Sequence, residues 1–349
     1  KPLVPNISFW GVGGDLMEDQ GVRLIAHIRD FCIIGVWEAI RNLGRIKAQY
    51  TRITRAISTN KPSFAILVDY PGFNLKIARF LKQKGIPVIY YVVPQVWAWG
   101  EWRVKGLREN GSLSLTLFAF EKKFLNDRGV IAEFTGNPLL DSAPEATTAP
   151  HVNFTIALLP GSRKTEVQHL LPMMLRAAKN ISEKMRNVEF ILAESSNIDP
   201  EMYDRELSLC PRPKVTRVKD NTYHALTRSD FVIVASGTAT LETAVMLKPM
   251  LITYRVPLLT EALFKMISKV RKIGLVNIIA GREIMPELIQ RDATPEKVAS
   301  KVLEIVLDKD RMEKMRMELA EVKLALGPKG ASKRAVETIV EFVREKNLL

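Results

Sequence analysis

The stretch at residues 155–175, TIALLPGSRKTEVQHLLPMML, passes from a continuous apolar run through Pro160-Gly161-Ser162-Arg163 into a pattern of helical period. A short apolar run without alternation reads as a parallel strand buried on both faces. A strand feeding a glycine turn and then a helix is the repeating step of an α/β fold. The same order occurs earlier, with a strand at residues 64–68, a helical pattern at 75–84 and a second strand at 88–93. Ahead of them, residues 7–10 form a short strand candidate that runs into Gly11-Val12-Gly13-Gly14. Further strands are expected at residues 189–193, 231–234 and 250–254, with helices between them. Two doubly wound, Rossmann-like units facing a cleft follow from this pattern.

A chain of 349 residues exceeds what one hydrophobic core usually serves, which also predicts two domains. Residues 137–150, with Pro138, Pro144 and Pro150 among Ala and Thr, read as the linker. The expected domains are therefore residues 1–140 and 151–331, followed by a helix within 332–349. Ala335, Ile339 and Val343 stand at four-residue spacing on that helix, which suits packing back on the first domain.

Hydrophobic residues at 47% and charged residues at 26% describe a globular protein, and no apolar run reaches the roughly 18 residues of a membrane span. The opening Lys1-Pro2-Leu3-Val4-Pro5 does not read as a signal peptide. Cys32 and Cys210 match no metal-ligand spacing and are expected to be buried thiols, which points to the cytoplasm. The net charge of +13 asks for an anionic partner: nucleic acid, an anionic membrane or a phosphorylated substrate. No basic stripe interleaved with aromatics is present, so nucleic acid is not expected.

In doubly wound sheets, ligands bind beyond the carboxyl ends of strands. Asp69, directly after the strand at 64–68, is either a partly desolvated general base or a cap for the following turn. Trp97 and Trp99, with Trp102 close behind, either pack or line a pocket. Gly161 and Ser162 admit close backbone approach, the next helix offers free N–H groups, and Arg163 supplies a cationic fork for phosphate; a plain surface turn is the alternative. Ser236, Gly237 and Thr238 open a helix carrying Glu242, which suits a diphosphate and a ribose or, equally, a simple capping box. His27, His151, His169 and His224 form no ligand pattern, so no metal is expected. Ile33, Trp37, Ile40 and Leu43 repeat at helical spacing beside Arg41, Arg45 and Lys47, and residues 263–273 alternate apolar residues with lysines. Each stretch is either a core-facing helix or an interfacial one.

Seven strings occur in the order seen in one family. They are Phe9-Trp10-Gly11-Val12-Gly13-Gly14, Val68-Asp69-Tyr70-Pro71-Gly72-Phe73-Asn74, Pro94-Gln95-Val96-Trp97-Ala98-Trp99, Leu158-Leu159-Pro160-Gly161-Ser162-Arg163, Ala235-Ser236-Gly237-Thr238-Ala239-Thr240-Leu241-Glu242, Thr253-Tyr254-Arg255 and Asn277-Ile278-Ile279-Ala280-Gly281-Arg282. Over essentially its whole length the chain resembles the lipid-A-disaccharide synthases. That resemblance implies a GT-B glycosyltransferase with the nucleotide sugar on the second domain and the acceptor on the first. It implies inverting transfer of 2,3-diacylglucosamine from UDP onto 2,3-diacylglucosamine 1-phosphate, with a β-1,6 linkage and no metal or other cofactor. By the same carry-over Asp69 is the general base, Arg163 the essential arginine on the UDP side, and Asn277 a functional asparagine. Gly161, Ser162, Ser236, Gly237, Thr238, Glu242 and Tyr254 then bind the UDP-sugar.

Acylated substrates imply a peripheral protein on the inner face of the inner membrane, docked through Ile33, Trp37, Ile40 and Leu43. A second copy of the chain is a further candidate partner. The family pattern also begins with a strand and a Gly-Glu-x-Ser-Gly-Asp loop ahead of the first string, has Asp at Gly72 and has His at Asn137. Two alternatives follow: a membrane-associated UDP-sugar-binding protein that lacks transfer activity, or an epimerase or hydrolase of the same fold.

Overall fold

The computed structural model describes Val4 and residues 7–31, 43–98, 100–145, 153–255 and 272–348. The chain forms two compact units, one of residues 1–135 with 332–349 and one of residues 136–331.

In the first unit, β1 (Trp10–Gly13) and β2 (Arg23–His27) form a parallel pair. A four-stranded parallel sheet runs in the order β3 (Ala65–Val68), β4 (Val88–Tyr91), β5 (Leu113–Thr116) and β6 (Ala132–Phe134). The first strand thus lies within the glycine-bearing stretch rather than ahead of it. The helix Pro71–Gln83 opens with a proline whose fixed φ suits a first helical turn, and it buries Phe73, Ile77, Ala78 and Leu81. These meet Ile53 and Ile57 of the helix Leu43–Asn60 and Tyr90 of β4 in one core. The other face of the sheet buries Ile89, Leu113 and Leu115 against Ala335 and Val343 of the C-terminal helix Ala331–Glu345, with Ile339 and Phe342 packed alongside.

The second unit is built on six parallel strands: β7 (Phe154–Leu159), β8 (Val188–Glu194), β9 (Val215–Lys219), β10 (Phe231–Ala235), β11 (Met250–Tyr254) and β12 (Glu287–Ile289). Their spatial order is β12-β11-β10-β7-β8-β9. All five residues of β10 are buried, as a strand covered on both faces requires. The chain leaves β7 toward β8 and β9, then returns to place β10 on the other side of β7. Connections leave these two neighbours in opposite directions, which opens a crevice at their carboxyl ends.

Two expectations need correction. The first part of the expected linker is folded into the second unit: residues Leu139–Ser142 form a helical turn, Leu140 is buried, and Asp141 accepts the N–H groups of Gly330 and Ala331. Proline 138 starts this turn because its φ is already helical, so proline here marks a helix start and not an open chain. Cys210 is half-buried rather than buried, at the end of the helix Pro200–Leu209, while Cys32 lies outside the described residues.

Candidate functional site

Leu159 ends β7, and the chain turns at Gly161, whose φ of +106° is open to glycine and strained for other residues. A Cβ there would also collide with the Glu166 carboxylate folded beneath the turn. The helix Lys164–Lys184 follows, with Arg163 at its N-cap and no side-chain cap. Its first N–H groups are therefore open to an external acceptor. Arg163 Nη1 donates to Glu166 Oε1 at 2.9 Å; the arginine side chain is 56% exposed and the glutamate 11%. The expected cationic fork is thus aimed: Glu166 fixes one edge of the guanidinium and leaves the remaining donors outward.

The neighbouring junction follows β10. Ser236 takes its N–H to the Thr253 carbonyl of β11, and its Oγ donates to the Ile273 carbonyl at 2.8 Å. Gly237, with a φ of +147°, caps the helix Thr238–Val245, and a Cβ there would meet nothing. This opening is not a capping box, since Glu242 lies in the second turn and does not reach back. Glu242 is half-buried, no described residue hydrogen-bonds it, and burial raises its pKa. Tyr254 ends β11, and its phenol is pushed up by burial and by Glu166 while Arg163 opposes that shift. The three neighbouring strands therefore gather Gly161, Ser162, Arg163, Ser236, Gly237, Thr238 and Tyr254 at the carboxyl end of the sheet.

Asn277 needs a different reading from a catalytic one. It is 0% exposed and uses its whole bonding capacity on protein. Its Nδ2 donates to the Met285 carbonyl and to Glu287 Oε1, both at 2.7 Å, and its Oδ1 accepts the N–H groups of Ile284 and Met285, both at 2.9 Å. Glu287 in turn accepts the N–H groups of Ile273 and Gly274. Because the Ile273 carbonyl receives Ser236 Oγ–H, Asn277 supports the Ser236 turn from behind. In this structure the side chain is committed wholly to protein partners. Glu166 and Glu287 were not singled out from sequence; Glu166 stands three residues after Arg163 on a helix and could have been, whereas nothing local marks Glu287.

In the first unit, Asp69 follows β3 with φ +44°, and Tyr70 follows with φ +46°. Two consecutive left-handed, non-glycine residues store strain that neighbours must hold. Asn74 Nδ2 donates to the carbonyls of Val68 and Asp69, and Tyr90 Oη donates to the Asp69 carbonyl at 2.6 Å. Asp69 is exposed as a residue, yet protein crowds its carboxyl enough that desolvation raises its pKa, against the Tyr70 N–H bond that lowers it. It does not cap the helix Pro71–Gln83, whose N-cap is Tyr70.

In the next loop Trp97 is half-buried. Its Nε1 donates to Glu121 Oε1 at 2.9 Å, and its ring meets Phe120 edge-on. Glu121, 3% exposed, also accepts the N–H groups of Leu117 and Phe118. Burial lifts its carboxyl to about 7. Trp102 does not pack as expected: it is 74% exposed, with Arg103 over its ring.

Trp99, Ile33, Trp37, Ile40 and residues 263–271 lie outside the described residues, and Leu43 opens the helix Leu43–Asn60. Among the described residues no cluster of His, Cys, Asp or Glu could hold a metal, and no helix is long and apolar enough to cross a membrane.

The family model for lipid-A-disaccharide synthetase matches residues 1–341. This chain belongs to that family. The lipid-A-disaccharide synthase of Syntrophus aciditrophicus is 36% identical over 98% of this chain and 92% of its own length. That of Myxococcus xanthus is 34% identical over 97% and 91%. Family membership makes the chain a hexosyltransferase of lipid A biosynthesis. Among solved structures, UDP-GlcNAc 2-epimerase from Neisseria meningitidis, bound to UDP-GlcNAc, aligns with a TM-score of 0.64 over 96% of this chain and 100% of its own, at 13% identity. MurG of Acinetobacter baumannii aligns with a TM-score of 0.57 over 96% and 100%, at 11% identity. At such identities the likeness is one of fold, and the lipid-A-disaccharide synthase fold here is of GT-B type.

Proposed function

We propose that this protein transfers 2,3-diacylglucosamine from UDP to 2,3-diacylglucosamine 1-phosphate, giving the β-1,6-linked disaccharide 1-phosphate and UDP. The observation that carries the donor half is the pairing of Gly161-Ser162-Arg163 with Ser236-Gly237-Thr238 at the β7/β10 switch point, each opening a helix whose first N–H groups are uncapped. Two helix N-termini and one guanidinium suit a diphosphate. Among the described residues Glu242 is an acceptor without a donor, which suits the two hydroxyls of a ribose.

In the transfer, the acceptor 6-hydroxyl oxygen forms a bond to C1 of the donor sugar from the face opposite the diphosphate. The bond from C1 to the phosphate oxygen breaks, its electron pair leaves with UDP, and the hydroxyl proton passes to Asp69. Desolvation that raises an aspartate toward working pH makes it a better general base. Arg163 and the helix N-termini take up the charge growing on the leaving diphosphate, so no metal is required.

Acylated glucosamines place the work at a bilayer. The protein then acts as a peripheral one on the inner face of the inner membrane, docked through Ile33, Trp37, Ile40 and Leu43, and a homodimer is its proposed assembly. The deciding assay follows UDP and lipid product with donor and acceptor together, with donor alone, and in EDTA. Disaccharide formed only when both substrates are present, and undiminished by EDTA, is expected. Release of UDP from donor alone would instead assign a hydrolase or epimerase.

A further inference from the structure

In the turn after β3, Asp69 with φ +44° is followed by Tyr70 with φ +46°. Neither is glycine, and the Cβ of an aromatic residue disfavours the left-handed region. The simplest relief for such a pair is rotation of the peptide plane between them, which alters ψ of Asp69 and returns Tyr70 to negative φ.

Hydrogen bonds hold that plane at the Asp69 carbonyl. Tyr90 Oη donates to it at 2.6 Å and Asn74 Nδ2 at 2.8 Å, and Asn74 Nδ2 also donates to the Val68 carbonyl at 3.0 Å. On the other side of the residue, the Asp69 N–H donates to the Tyr91 carbonyl at 3.1 Å. Tyr90 is 0% exposed and lies in the apolar core of the first unit with Phe73 and Leu67. Phenylalanine would fill that core as well, so the use of the buried hydroxyl is its bond to Asp69.

The opposite edge of the same peptide serves the carboxylate. The Tyr70 N–H bonds the Asp69 side chain and lowers its pKa, against the larger desolvation that raises it. A peptide is planar, so fixing its carbonyl also fixes its N–H. A flipped peptide would turn its carbonyl oxygen toward the carboxylate, and that repulsion would add to desolvation. Among the described residues the ionisable neighbours of the turn are Tyr90 and Arg103. Burial and then the Asp69 charge keep Tyr90 protonated, and Arg103, from the helix Arg103–Asn110, opposes that shift.

We propose that Tyr90 and Asn74 are positioning residues for Asp69: together they lock the Asp69–Tyr70 peptide with its carbonyl toward β4 and its N–H on the carboxylate. This rests on the proposed role of Asp69 as the general base and names what holds that base in its working form.

Tyr90→Phe keeps the ring in the core and removes one bond. The Asp69 carboxyl, followed by NMR of carboxyl-labelled aspartate and assigned with Asp69→Asn, should then titrate at higher pH. The acid limb of the pH-rate profile should move up with it, and kcat should fall about tenfold while KM for the donor stays unchanged. Asn74→Ala should act in the same direction. Adding Tyr70→Gly to Tyr90→Phe removes the strain that drives the flip and is expected to restore both readings, whereas adding Tyr70→Ala, which keeps a Cβ, should not. An unchanged Asp69 titration in Tyr90→Phe overturns the proposal. So does a loss that Tyr70→Gly fails to restore, or that Tyr70→Ala restores equally, since backbone orientation would then not be its cause. A raised titration with unchanged kcat supports the lock and removes Asp69 as the base, so the two readings fail separately.

Discussion

Arg163 and Asp69 divide the chemistry at the scale of the residue. Arg163→Ala removes a charge aimed at the leaving diphosphate and, with it, the ion-pair partner of the nearly buried Glu166 carboxylate. We expect kcat to fall roughly 100- to 1,000-fold in a protein that still folds, its melting temperature lowered only modestly by the unpartnered Glu166. Normal turnover by a folded Arg163→Ala protein would remove Arg163 from the mechanism. Asp69→Asn keeps the shape of the strained turn and loses the base. It should cost about 100- to 10,000-fold in kcat, and the acid limb of the wild-type pH-rate profile should disappear with it.

Glu121 titrates near pH 7 in the fold against an ordinary value of 4.5. Folding therefore retains a proton that the unfolded chain has already lost between those values. Glu121's contribution is full below about pH 4.5, declines as pH rises, and reaches a penalty on the order of 3 kcal/mol above pH 7. Glu121→Gln should flatten the fall of urea midpoint across that window, and parallel curves for the two proteins would show Glu121 ionised throughout.

Among the elements, the six-stranded sheet makes the donor half. Its strand order puts two glycine turns side by side, and the Asn277–Glu287–Ile273 chain of hydrogen bonds supports one of them. Asn277→Ala would leave several buried polar groups without partners, at a cost of about 3 kcal/mol or more. The expected signature is a lowered melting temperature with weakened UDP binding. A fall in kcat at unchanged melting temperature would instead return Asn277 to the catalytic set. The individual strands and the Gly161 turn were legible because continuous apolar runs and glycine report local constraints. The role of Asn277 was not legible, because its partners at Met285 and Glu287 are meaningless until the helix Leu275–Ile279 is set against β12.

For the whole molecule, the chain crosses into the second unit after Thr135 and comes back at Ser332, so the last helix completes a core begun some 240 residues earlier. Val343→Ala should destabilise the first unit by about 2 kcal/mol, read as an earlier unfolding transition while UDP binding persists. Loss of UDP binding in step with that transition would show the two units unfolding as one.

The sequence by itself determined the α/β class, the strands and helices, the glycine turns and the family, since each rests on residues close together in the chain or on motifs in fixed order. Tertiary structure alone decided the strand order that joins the Gly161 and Ser236 turns. It also decided the buried hydrogen bonding that makes Asn277 a support, the Glu166 contact that aims Arg163, and the packing of Trp97 on Glu121. Those outcomes depend on which distant groups share a space from which water is excluded, and no local pattern encodes that.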